Sequence, residues 1–280
     1  MSSDEKDPAN IDYSQASRIY LLPNLFTAGN LFCGFIAIMK CIQARYNVML
    51  DVPFESPSEL YTQAVLFILG GMVCDSLDGR VARMGGRESL FGKEFDSIVD
   101  MVSFGVAPAL MVLFHILNPE ESLFFKNIGW FLSFIYLLCA GIRLSRFNVI
   151  THPLVYPANI DRTNNDFVGL PVPAAAGMIA TLVLVINTHD LQRWAIALPF
   201  LMMFISYLMI SPIRYPSFKQ IDWNTKVRLR TFVLLLMSVV LIYMYQQYAL
   251  VLIFLGYLFY GVIRHILMMR RIRNQSNAKL

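Results

Sequence analysis

Apolar residues in this chain come in long runs separated by polar connections. A bilayer core takes about 20 helical residues to cross. Runs of about that length can be placed at 24–44, 61–80, 93–117, 127–147, 169–188, 193–212, 231–246 and 249–268. The pattern predicts an all-α fold, a polytopic transmembrane helix bundle of about eight spans. Composition strengthens this: 56% of residues are hydrophobic and 15% charged, against about 25% charged in a soluble domain, and mean hydropathy is +0.54. No repeat or low-complexity tract divides the chain, so one membrane domain, 23–268, is expected between an N-terminal arm, 1–22, and a basic tail, 269–280.

Charge then orients the bundle. With the N-terminus cytoplasmic, the N-terminal arm, the connections after the second, fourth and sixth spans and the C-terminal end hold all 23 Lys and Arg but Lys40, Arg45, Lys126 and Arg193. Cytoplasmic loops of membrane proteins carry such an excess. Both termini are therefore assigned to the cytoplasm, and the net charge of +4 reads as topology, with no need for nucleic acid. Arg270, Arg271 and Arg273 read as a juxtamembrane arm on anionic lipid.

Other features change the picture less. Residues 1–10 are acidic and polar, without the positive region that opens a signal peptide, and 11–22 are read as a short interfacial helix leading into Pro23. Cys33, Cys41, Cys74 and Cys139 lack metal-binding spacing and lie in apolar runs, so neither a disulfide nor a zinc site is expected.

Four aspartates stand where a bilayer discourages them. Asp75 and Asp78 lie near the end of the second span, and Asp96 and Asp100 in the first turns of the third. Ionised groups there cost several kcal/mol by most estimates and normally face a wet cavity, a counter-ion or a metal. Residues three and four apart share a helix face, so each pair projects together and the two faces make a four-carboxylate cage. Oxygen donors suit hard cations, favouring magnesium or manganese over zinc. Gly79, Ala82 and Gly92 carry little or no side chain and would let a bulky ligand approach, while Arg83 offers a forked donor for phosphate. Such a set is built for phosphoryl chemistry. Asp100 lies roughly 10 Å along its helix from Lys93, at headgroup depth, which suits a lipid phosphate ester.

The run D-x-x-D-G-x-x-A-R, eight residues, G-x-x-x-D-x-x-x-D resembles the signature of the CDP-alcohol phosphatidyltransferases. Its fixed positions are met by Asp75, Asp78, Gly79, Ala82, Arg83, Gly92, Asp96 and Asp100. With residue frequencies of about 5–8%, a chance match in this chain is on the order of one in ten million or rarer. From about Leu21 to Ala176 the chain looks most like the integral-membrane phosphatidylserine synthases. That likeness rests on Leu22-Pro-Asn-Leu-Phe-Thr27, Asn30-Leu-Phe-Cys-Gly34, Asp100-Met-Val-Ser-Phe-Gly-Val-Ala-Pro108, Arg143-Leu-Ser-Arg-Phe-Asn148 and Gly169-Leu-Pro-Val-Pro-Ala-Ala-Ala176.

The resemblance implies a six-helix catalytic core plus two further spans, a homodimer, and the reaction of CDP-diacylglycerol with L-serine to give phosphatidylserine and CMP. It implies that Asp75, Asp78 and Asp96 hold the metals, with two ions expected, and that Asp100, near or on the second metal, is the general base for the serine hydroxyl. Gly79, Ala82, Arg83 and Gly92 would contact the CDP moiety, as would Asn24 and Thr27, which also read as an N-cap pair after Pro23. For the serine carboxylate, arginine is the fitting donor. Arg143 and Arg146, three apart with Asn148 beside them, are the candidates, and both also read as positive-inside residues ending the fourth span. Ser103, one turn below Asp100, is a candidate polar partner for it. Gly169 to Ala176 reads as a helix entry and close packing.

The signature serves other acceptors too, among them glycerol 3-phosphate, inositol phosphate and choline. Outside the enzyme class, intramembrane carboxylates also line cation transporters, but here both pairs lie at one side. A prokaryotic cell membrane is the expected setting.

Overall fold

Each apolar run that falls among the described residues is a helix. The computed structural model describes residues 21–50, 56–84, 90–115, 123–150, 167–189, 197–215 and 246–277. Helix α1 is Leu21–Leu50 and α2 is Pro57–Met84. The third rod has three parts: α3, Leu90–Asp100, a π-helical segment, Met101–Val106, and α4, Ala107–His115. There follow α5, Leu123–Ile150, α6, Val172–Thr188, α7, Ala197–Ile210, and α8, Gln246–Asn277. Five of these rods, α1, α2, the third rod, α5 and α8, are long and apolar enough to cross a membrane, while α6 and α7 are shorter.

The seventh expected span, 231–246, lies outside the described residues except for Gln246, as do 11–20 of the expected interfacial helix. Helix α8 continues beyond the expected span end at 268 to Asn277, so Arg270, Arg271 and Arg273 are helical. Among the described residues the regular structure is helical apart from one small exception. Strand β1, Phe167–Val168, pairs antiparallel with β2, Arg214–Tyr215, placing Phe167 opposite Tyr215 and Val168 opposite Arg214.

Packing explains the difference between short and long helices. Helix α6 is buried nearly all round, from Val172 and Ala175 through Thr181 to Ile186, as expected for a helix apolar on every face. It is the central post. Helix α8 instead exposes Leu252, Ile253, Phe259, Tyr260, Ile263 and Leu267, a surface suited to lipid. Helices α1 and α2 pack together through small residues, with Gly29 of α1 against Cys74 and Gly70 and Gly71 of α2 against Cys33, which let backbones approach closely.

The π-helical segment sits at the centre of this packing. The Ala107 N–H donates to the Val102 carbonyl, five residues back. Such segments are rare and favour functional sites. Pro108 has no N–H to give the carbonyl one turn earlier, and the Tyr136 hydroxyl donates to that Phe104 oxygen at 2.9 Å. Ser103 donates to the Asn30 carbonyl at 3.0 Å. Gly34 makes this crossing possible, since a Cβ there would stand 2.7 Å from Ser103 Cα.

Candidate active site

Helices α2 and α3 bring three carboxylates to one point. Ligand oxygens of Asp75, Asp78 and Asp96 all lie within 4.8 Å of one another. Asp75 and Asp78 share a face near the end of α2, and Asp96 meets them from α3, as the spacing of three expects. The set holds hard oxygen donors without Cys or His, which fits magnesium or manganese and does not fit a soft metal. Asp78 is 5% exposed and accepts the Thr27 hydroxyl at 2.9 Å. A neighbour that fixes a ligating carboxylate in this way is a common feature of metal sites.

Asp100 stands one turn deeper than Asp96, outside the convergent triplet. It is 7% exposed and lies in the fields of Asp75, Asp96 and Asp78, with Arg143 opposing them. Its Oδ1 accepts the Asn30 amide at 3.2 Å. Ser103, expected as a partner of Asp100, bonds instead to the backbone of Asn30, so it acts on the carboxylate through that residue.

Helix α1 thus lays a polar stripe along the aspartates. Asn24, Thr27 and Asn30 recur every three residues on one face. Thr27 and Asn30 are buried, and Asn24 Nδ2 and Asn30 Oδ1 are buried without a hydrogen-bond partner among the described residues. Buried polar atoms are usually satisfied, so the Asn24 amide fits a polar ligand against α1. Gly71 of α2 gives Asn30 its space, since a Cβ there would be 2.8 Å from Asn30 Oδ1. Asn30 had no role assigned from sequence, although its three-residue spacing from Thr27 carried the signal.

Helix α5 adds a positive wall. Arg143 is 7% exposed, its guanidinium lies 5.4 Å from the Phe147 ring centroid, and it interacts electrostatically with Asp100, Tyr257 and Asp75. Lys93 approaches the same ring, with Nζ 5.8 Å from the centroid. Arg146 is directed elsewhere. Its Nη1 donates to the Ile210 carbonyl at 3.1 Å and its Nη2 to the Val168 carbonyl at 2.8 Å, fastening the end of α7 to β1. Gly169, at φ +85°, makes room for it, since a Cβ there would stand 2.9 Å from Arg146 Nη2. Asn148 donates to Ser97 Oγ at 2.9 Å and Glu94 Oε2 at 3.2 Å, tying α5 to α3. The two arginines paired by spacing thus face different partners.

Gly79 is part-buried near the end of α2 and Gly92 part-buried at the start of α3. Ala82 and Arg83 continue the α2 backbone, and their side chains lie outside the described set. Tyr257, from α8, is a neighbour of Arg143 that sequence reading missed. Its position in a lipid-facing run more than 100 residues further along the chain gave no local signal.

Comparison with known proteins agrees with the carboxylate geometry. The sequence model described as CDP-alcohol phosphatidyltransferase matches residues 20–209. The chain is 35% identical to the CDP-diacylglycerol--serine O-phosphatidyltransferase of Helicobacter pylori strain J99, over 92% of this chain and 97% of that protein. It is 33% identical to the archaetidylserine synthase of Methanothermobacter thermautotrophicus, over 70% of this chain and 69% of that one. Against the CDP-diacylglycerol--serine O-phosphatidyltransferase of Bacillus subtilis it is 32% identical, over 71% of this chain and 92% of the relative.

Proposed function

The chain belongs to the CDP-alcohol phosphatidyltransferase family, and we propose that it transfers the phosphatidyl group of CDP-diacylglycerol to L-serine, giving phosphatidylserine and CMP. The observation that carries the chemistry is the convergence of Asp75, Asp78 and Asp96 beside the buried Asp100. Serine as acceptor is supported by likeness, over nearly their full length, to proteins named for that reaction.

Asp75, Asp78 and Asp96 would hold magnesium or manganese, two ions with Asp100 beside the second. When bound, such ions neutralise the pyrophosphate oxygens and stabilise the leaving CMP. Thr27 keeps Asp78 in its ligating orientation. Asn24 donates to the CDP moiety, which packs against Gly79, Ala82 and Gly92, and Arg83 binds its phosphates. Asn30 occupies one oxygen of Asp100, leaving the other to take the proton of the serine hydroxyl. The serine oxygen then bonds to the phosphorus carrying diacylglycerol as the bond to the bridging oxygen breaks. Arg143 holds the serine carboxylate, while Arg146 and Asn148 keep the surrounding elements in register.

The same reading puts both termini and the site on the cytoplasmic side of a prokaryotic membrane, supported by the distribution of Lys and Arg, and makes the enzyme a homodimer, as the family resemblance implies. Purified protein is to be given CDP-diacylglycerol with L-serine, glycerol 3-phosphate, inositol phosphate or choline, and the lipid product identified by mass spectrometry. Phosphatidylserine and CMP are expected only with serine and only with magnesium or manganese present. A different phospholipid, or CMP release indifferent to chelation, overturns the proposal.

A further inference from the structure

We propose that the last helix closes the acceptor pocket, with Tyr257 of α8 a specificity-determining residue whose hydroxyl donates to the serine carboxylate beside Arg143. This rests on the reading above that serine is the acceptor and Arg143 its carboxylate partner. The family match ends at residue 209, so the match itself assigns nothing to α8.

Helix α8 is seated in one orientation by two glycines. Gly177 of α6 leaves space that the Phe254 ring fills, and Gly261 of α8 leaves space for the Tyr215 ring. At either glycine a Cβ would collide with the ring. Phe254, Tyr257 and Gly261 are spaced by three and four and share a face, so the contacts that hold Phe254 and Gly261 also turn Tyr257 inward. Leu252, Ile253, Phe259, Tyr260 and Ile263 point away.

The inward face meets polar groups that packing alone does not require. Tyr257 and Tyr215 are in ring contact, with centroids 5.6 Å apart, and Tyr257 interacts electrostatically with Arg143. Tyr215 is fully buried, and its hydroxyl has no hydrogen-bond partner among the described residues. Buried phenols usually find a partner. Arg143 also interacts with Asp100, so the groups run from Asp100 through Arg143 to Tyr257 and Tyr215. An amino acid whose hydroxyl sits at Asp100 would present its carboxylate toward Arg143 and the tyrosines. A guanidinium supplies a forked pair of donors to a carboxylate, and a phenol supplies a further one.

The test is steady-state kinetics on the full-length protein in mixed micelles with CDP-diacylglycerol. Tyr257→Phe keeps the ring contact with Tyr215 and removes only the hydroxyl. It is expected to raise the serine KM by about tenfold, the loss typical of one hydrogen bond to a charged group, with kcat within about twofold and the CDP-diacylglycerol KM unchanged. An unchanged serine KM in Tyr257→Phe, with a raised one in Arg143→Ala, overturns the role of Tyr257 and leaves the Arg143 reading standing. An unchanged serine KM in both overturns the two together. Equal losses for both substrates, accompanied by a lowered unfolding temperature, assign Tyr257 to packing and overturn the proposal.

Discussion

Asp75, Asp78, Asp96 and Asp100 come from two consecutive helices joined by one short connection, whereas Arg143, Tyr215 and Tyr257 come from three elements scattered through the second half of the chain. The first group is set by helix geometry: residues three and four apart face the same way wherever the helix goes. The second depends on how α5, β2 and α8 dock, through Gly261 under Tyr215 and Gly177 under Phe254. The contrast suggests a division of labour. On the proposed reading, metal and leaving-group chemistry belong to a local unit of two consecutive helices, and recognition of the alcohol belongs to a wall that other elements supply. Substitutions on the two sides are then expected to fail in different ways.

The largest effect is expected on the metal side. Asp75→Asn removes one charge from a triplet whose oxygens lie within 4.8 Å, and activity is expected to fall by about three orders of magnitude or more, as electrostatic stabilisation is often the largest catalytic contribution. Titration with Mn2+ followed by electron paramagnetic resonance is the check. Retention of wild-type manganese binding by Asp75→Asn would break the division at its firmest point.

Asp100→Asn sharpens the boundary. As a general base, Asp100 is worth about 10²–10⁴ in kcat, and its removal is expected to leave manganese binding intact. Loss of one bound ion in this variant would move Asp100 from base to ligand.

How much of this was legible in the sequence follows the same division. The helices showed themselves because long apolar runs are a direct response to the solvent, and the aspartates because their spacing is a helical repeat. The apolar pattern reads the third rod as one continuous span and carries no sign of the π-helical segment, since Met101–Val106 is as apolar as an α-helix would be. Arg143 and Arg146 looked equivalent because spacing places both on one face. Only the β1–β2 pair, formed by segments more than 40 residues apart, supplies the carbonyl of Val168 to one and not the other. Tyr257 was invisible for a related reason: an inward tyrosine in a lipid-facing helix differs from its neighbours only in what it meets.

Separating the two arginines tests that point directly. Arg143→Ala is expected to raise the serine KM by about 10–100-fold, in keeping with the loss of a bidentate charged contact, with little change in the CDP-diacylglycerol KM. Arg146→Ala removes two donors from the carbonyls of Ile210 and Val168. It is expected to lower the unfolding temperature in detergent, at a cost of about 1–3 kcal/mol, with the serine KM near that of the parent. A strong serine KM effect in Arg146→Ala and none in Arg143→Ala would reverse the assignment.

The smallest expected loss of kcat lies within the first group, where α1 supports Asp100. Gly34 lets α1 rest against the π-helical segment, and a methyl group there would stand 2.7 Å from Ser103 Cα and 2.8 Å from its Cβ. Those are backbone and near-backbone atoms, so the clash is relieved only by moving the helices apart. Overpacking of this kind costs about 1–3 kcal/mol, which a thermal unfolding scan of Gly34→Ala reads as a lowered midpoint. The functional consequence is more selective. Separation of α1 from the π-helical segment lengthens the Ser103 bond to Asn30 and, through Asn30, the bond to Asp100, while the convergent carboxylates of Asp75, Asp78 and Asp96 stay on α2 and α3. Gly34→Ala is therefore expected to lose about threefold to tenfold in kcat, a modest share of what a general base contributes, with manganese affinity close to that of the parent. A matching loss of manganese affinity would mean that α1 positions Asp100 and the carboxylate triplet as one body, and that the two are not separable within the first group.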